Sequence, residues 1–151
     1  MKTLEKLYDD LEQYSDFEKE DNPEKFLETV DKIILLKDPN SIKILLKYFD
    51  DNSEYNWAFE SLKVALDAYS DEVHAKAVIE EIPFMLNRAP KWLLGLIYRI
   101  LNHPSSLSCF KRSMHLISKE SMIQLLNLVE QGSPYHKELC AELKKELSQL
   151  P

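Results

Sequence analysis

Ala89-Pro90-Lys91-Trp92-Leu93-Leu94-Gly95-Leu96-Ile97-Tyr98-Arg99-Ile100-Leu101-Asn102-His103-Pro104 contains a whole helix, start and stop included. Pro90 suits a first helical position, where its missing N–H is not needed. Trp92, Leu93, Leu96, Ile97, Ile100 and Leu101 then recur at the spacing of one helix face. Asn102-His103-Pro104 stops the run, because a proline disfavours helical geometry in the residue before it.

The same grammar extends in both directions. Leu4, Leu7, Leu11 and Tyr14 predict an amphipathic helix over 2–20. Asn22-Pro23-Glu24 supplies a cap, a first-position proline and a first-turn acid for a second helix carrying Phe26, Leu27, Val30, Ile33 and Ile34. Asp38-Pro39 repeats that signal ahead of Ile42, Leu45, Leu46 and Phe49. Asp50-Asp51-Asn52 breaks the third helix and Ser53 caps a fourth, about 54–69. Ser70-Asp71-Glu72 caps a fifth, which Pro83 is expected to kink or split. Beyond the sixth, helices are predicted at about 106–117 and 119–131, the latter stopped by Gly132 as a carboxyl-terminal cap. A last one runs from Ser133-Pro134 to about Leu147.

About nine helices of 12–18 residues with short links imply antiparallel neighbours in a single all-α domain over residues 1–151. No strict repeat period is present. The expected architecture is an irregular HEAT-like α-solenoid, with a closed helical bundle as the alternative.

Composition excludes several functions. Two glycines in 151 residues leave little for hairpins or phosphate-cradling loops. With 44% hydrophobic residues the chain can form a core, yet no apolar run reaches the roughly 18 residues of a membrane span. The opening Met1-Lys2-Thr3-Leu4-Glu5 lacks an apolar signal core, so a cytoplasmic location is expected. The formal charge of −7 is uneven. Residues 1–31 hold four lysines against eleven acids, and the remainder balances at fifteen of each sign. That argues against a nucleic-acid partner, which needs a basic face, and suits a basic protein.

Catalytic and metal chemistry are not evident. His136 and Cys140 share a helix face four residues apart, but two ligands do not make a zinc site. The ordinary reading is a surface histidine and a core cysteine, with Cys109 also a buried hydrophobe. There is no Gly-x-Ser-x-Gly elbow. Glu80 and Glu81 point about 100° apart on a helix, as a solvated face does. Asp50 and Asp51 crowd a helix end already made negative by carbonyls, either as a solvated turn or as a patch presented to a cation. Trp57 and Trp92 are core residues, or interface anchors if exposed. Arg99, inside an apolar helix, needs an acid from a neighbouring helix.

Certain stretches carry a family resemblance. Asp50-Asp51-Asn52-Ser53-Glu54-Tyr55-Asn56-Trp57-Ala58-Phe59-Glu60 is one. Ile82-Pro83-Phe84-Met85-Leu86, Ala89-Pro90-Lys91-Trp92 and Arg99-Ile100-Leu101-Asn102 are the others. Together, within roughly 38–130, they resemble the all-helical immunity proteins of bacterial polymorphic toxin systems, immunity family thirty. The resemblance implies a non-enzymatic protein without cofactor or metal that binds and blocks a cognate toxin domain inside the producing cell. That toxin is often a nuclease, hence basic. Neither a nucleic acid nor a membrane is an expected partner, and the oligomeric state is open. For such docking the candidate residues are Asp50, Asp51, Glu54, Tyr55, Trp57, Glu60, Trp92 and Arg99. The acids would pair with toxin Lys or Arg, the aromatics would anchor, and Arg99 would either join them or only hold helices together. A helical adaptor for endogenous partners is the alternative function. An enzyme or metalloprotein with a spatially assembled site is a third.

Overall fold

Hydroxyl side chains open three of the helices in the computed structural model, which describes residues 2–151. Thr3, Ser70 and Ser118 accept hydrogen bonds from the backbone N–H of Lys6, Val73 and Ser121, satisfying donors that have no partner within the helix. Nine α-helices and no strand are found among the described residues. They are α1 (Leu4–Tyr14), α2 (Asn22–Leu35), α3 (Ser41–Leu46), α4 (Asn56–Ala65), α5 (Asp71–Arg88), α6 (Pro90–Leu101), α7 (Pro104–Ser113), α8 (Lys119–Gly132) and α9 (Lys137–Ser148). Single 3-10 turns follow α4, α7 and α8.

The all-α class is therefore established, with several boundaries corrected. α1 stops at Tyr14 rather than running to residue 20. The cause is Phe17, whose ring packs 5.1 Å from Phe26 and 5.6 Å from Phe59. Burying that ring contributes about 2 kcal/mol, more than the helix-propensity differences among ordinary residues. The cap of α2 is Asp21, at φ 64°, not Asn22; the Asn22 amide instead donates to the Asp16 carbonyl. α3 is only six residues long. It opens at Ser41 because Asp38 Oδ1 takes the Asn40 N–H in a turn. Ser53 bonds the Tyr55 N–H one step ahead of α4 rather than capping it. Pro104 begins α7 as well as ending the preceding run.

Tertiary packing corrects two expectations, a split at Pro83 and a left-handed cap at Gly132. Pro83 does not split α5, which is continuous over 18 residues. Ala75, Ala77, Val78, Ile79, Ile82 and Met85 are buried along it, and the apolar area they remove from water outweighs one missing hydrogen bond. Gly132 is not a left-handed cap, since no glycine has positive φ. It is the last residue of α8, and the Tyr98 hydroxyl occupies the space a Cβ would fill.

Packing centres on α5, which lies against α3, α6, α7 and α8. α1 pairs with α2, α2 with α3 and α4, α6 with α7 and α8, and α8 with α9. Next-but-one contacts of this kind join helical pairs, while α5 departs from a strict nearest-neighbour ladder. Both cysteines are free and buried. His136 is buried rather than on the surface. Its ring nitrogens bond Ser133 Oγ at 2.7 Å and Asn102 Oδ1 at 2.8 Å, tying the α8–α9 link to the end of α6.

Candidate partner-binding cleft

The α1–α2 link and the α3–α4 link meet because Phe17 stacks edge-on to Tyr55, with ring centroids 5.6 Å apart. Between these links and the last turns of α5 lies an open cleft of about 790 Å³. Its walls carry Glu12, Asp16, Glu18, Asp50 and Glu54, and Tyr48, Tyr55 and Phe84 supply aromatic surface.

The cations of the cleft are already engaged. Lys47 pairs with Glu81 and lies 4.7 Å from the Phe84 ring centroid. Arg88 Nε donates to the Phe49 carbonyl at 3.1 Å. Glu12 accepts from the Tyr48 hydroxyl at 2.9 Å. Among the described residues, no ion pair involves Asp16, Glu18, Asp50 or Glu54. Their field is felt locally. Burial first, then the carboxylates of Glu18, Glu54 and Asp16, push the Tyr55 hydroxyl above its ordinary pKa. The Tyr48 hydroxyl is raised by burial and by Glu12.

The candidates named from sequence divide four ways. Asp50, Glu54 and Tyr55 line the cleft. Asp51, Glu60 and Trp92 line a smaller recess of about 360 Å³ on the other side of the same link. There the Asp51 carboxylate accepts from the backbone N–H of Lys91 at 2.8 Å and of Trp92 at 3.3 Å. Trp92 packs 5.6 Å from Phe49 and 5.8 Å from Phe59. Glu60 pairs with Lys63 at 3.0 Å. Trp57, 49% exposed, is the freely presented indole.

Arg99 belongs elsewhere. Its Nε meets Asp67 Oδ1 at 2.5 Å, the cross-helix ion pair expected of it. Its charge also faces His74, in the first turn of α5, whereas Phe84 and Arg88 bring the last turns of α5 to the cleft. Those turns are about 20 Å apart at 1.5 Å per residue.

Glu12, Asp16 and Glu18 were not singled out from the sequence. The signal available was the acidic excess of residues 1–31. The packing that sets part of it opposite Asp50 and Glu54 is tertiary.

Among the described residues, no cluster of three or more His, Cys, Asp or Glu is arranged to hold a metal, and no helix is long and apolar enough to cross a membrane. No curated protein and no solved structure matches the chain. The family described as Immunity protein 30 matches residues 13–110. That span runs from the end of α1 into α7 and includes every cleft acid but Glu12. On a match of that extent, the chain belongs to the Immunity protein 30 family.

Proposed function

We propose that this chain neutralises a cognate bacterial toxin domain by stoichiometric binding in the cytoplasm, and that its acidic cleft receives a basic surface of that toxin. Family membership supports the toxin as partner. The observation that carries the site is the set of four cleft carboxylates outside any ion pair, Asp16, Glu18, Asp50 and Glu54, beside ready aromatic surface. Such an arrangement attracts Lys and Arg, speeds encounter and fixes register. Tyr55 lies within the cleft, while Trp57 and Glu60 offer an exposed indole and carboxylate on α4. A nuclease suits this charge, because its phosphate-binding face is basic and the cleft acids mimic the substrate backbone. No cofactor and no catalytic step is assigned.

An immunity gene is expected beside the gene of its toxin, so the test is titration of the toxin domain sought in the neighbouring gene with the purified chain. Toxin activity should vanish at one-to-one, and binding should weaken as salt rises. Full toxin activity at excess chain, or inactivation at far below one equivalent, would contradict stoichiometric neutralisation.

A further inference from the structure

The nine residues between α3 and α4, 47–55, would be expected to move as an exposed loop. Instead they are fastened to the junction of α5 and α6. Phe49 is fully buried, and its carbonyl takes the Arg88 Nε–H. Lys47 is paired with Glu81 of α5. The tie of greatest chemical interest is Asp51. α6 has no cap of its own: Ala89 offers no side-chain acceptor and Pro90 has no N–H. The first free amides of α6 belong to Lys91 and Trp92, and both donate to the Asp51 carboxylate, one to each oxygen. A residue about 40 positions away thus performs the work of an N-cap, and the positive end of the α6 dipole favours its charge.

Resting on the toxin-binding reading of the cleft, we infer that Asp51 is a positioning residue. Its clamp on the amino end of α6 holds the link in one conformation and so presents Asp50 and Glu54 to the partner already ordered. Its neighbour Asp50 lines the cleft, while Asp51 faces the recess behind it. An ordered acidic link binds with less loss of conformational freedom than a mobile one. Affinity therefore depends on Asp51 through the cap and on Asp50 through charge.

The experiment compares Asp51→Ala, Asp51→Asn and Asp50→Asn. It reads amide hydrogen exchange in the free protein and the affinity and salt dependence of binding to the neighbouring-gene toxin domain. Asn offers one acceptor oxygen where Asp offers two, so it can keep one of the two amide bonds while carrying no charge. D51A should speed exchange at Lys91, Trp92 and the 50–55 amides and weaken binding, each by about tenfold, with the salt slope kept. D51N, with one of the two bonds kept, should fall between D51A and the parent chain, about threefold from the parent in each. Asn at position 50 keeps the Oδ1 that accepts from the Asn52 N–H, so D50N should leave exchange alone and flatten the salt slope. The inference is overturned if D51N weakens binding as much as D51A and flattens the slope as D50N does, making Asp51 a charge contact. It is equally overturned if D51A leaves exchange in the link unchanged. Should D51A fail to fold, Asp51→Asn against the similarly sized Asp51→Leu gives the same contrast of an accepting with a non-accepting side chain. The exchange arm needs no toxin, so it stands apart from failure of the toxin reading, which would show as D50N binding like the parent chain.

Discussion

The Tyr98 hydroxyl of α6 lies directly over Gly132 of α8, in the space where any other residue would place its Cβ. The Tyr98 ring is held there by stacking on His136, with centroids 5.5 Å apart and planes 17° apart. Gly132→Ala should therefore destabilise by about 1–2 kcal/mol through overpacking, despite alanine's better helix propensity. In a Tyr98→Phe background the nearest ring carbon would sit 3.7 Å from the new methyl, an ordinary contact. The penalty should then vanish. Chemical denaturation of the four proteins in a double-mutant cycle measures this, and equal penalties in both backgrounds would refute it.

Stability should fall with acidification because of His74. The ring is buried, and neither nitrogen has a partner. Burial, then the Arg99 charge, pushes its pKa down to about 4, against weaker opposing effects of Asp67 and Asp71. In the unfolded chain the imidazole takes its proton near pH 6.5, while in the folded chain it resists. Stability is thus retained above pH 6.5 and lost progressively towards pH 4, by about 3 kcal/mol. His74→Leu should flatten that stretch of the curve. Parallel curves for the two proteins would show that His74 is not the titrating group.

Lys37 ends α2 in the left-handed region at φ 53°, with its N–H bonded to the Ile34 carbonyl. A side chain is costly there, and glycine is not. Lys37→Gly should stabilise by up to about 1 kcal/mol and raise Tm by about 2–4 °C, as read by calorimetry. An unchanged or lower Tm would mean that this turn carries no such strain.

The helices were legible because their apolar spacing and proline starts are local signals. Leu93, Leu96, Ile97 and Ile100 are all fully buried, as their spacing required. Where long-range packing decides, the reading failed: Phe17 pulls the chain out of α1, and buried neighbours carry α5 through Pro83. The cleft was half legible. Asp50, Glu54 and Tyr55 lie close together in the chain, so one stretch disclosed them. Glu12, Asp16 and Glu18 reach the same space through tertiary contacts, Phe17 on Tyr55 and Phe59 and the Tyr48 hydroxyl on Glu12. Asp51 was marked for its charge, but its partners are backbone amides of α6, to which no side-chain pattern points. Arg99 did find its acid, Asp67, by the simple rule that a charge inside an apolar helix must be matched.

The acidic cleft as docking surface is tested most directly by association kinetics. The double variant Asp50→Lys, Glu54→Lys should be mixed with the neighbouring-gene toxin domain across a range of ionic strengths. Reversing two steering charges should slow association by about tenfold or more at low salt and flatten its salt dependence, with the fold intact by circular dichroism. A folded variant that associates at the parent rate, with the parent salt dependence, would place the toxin on some other face of the protein.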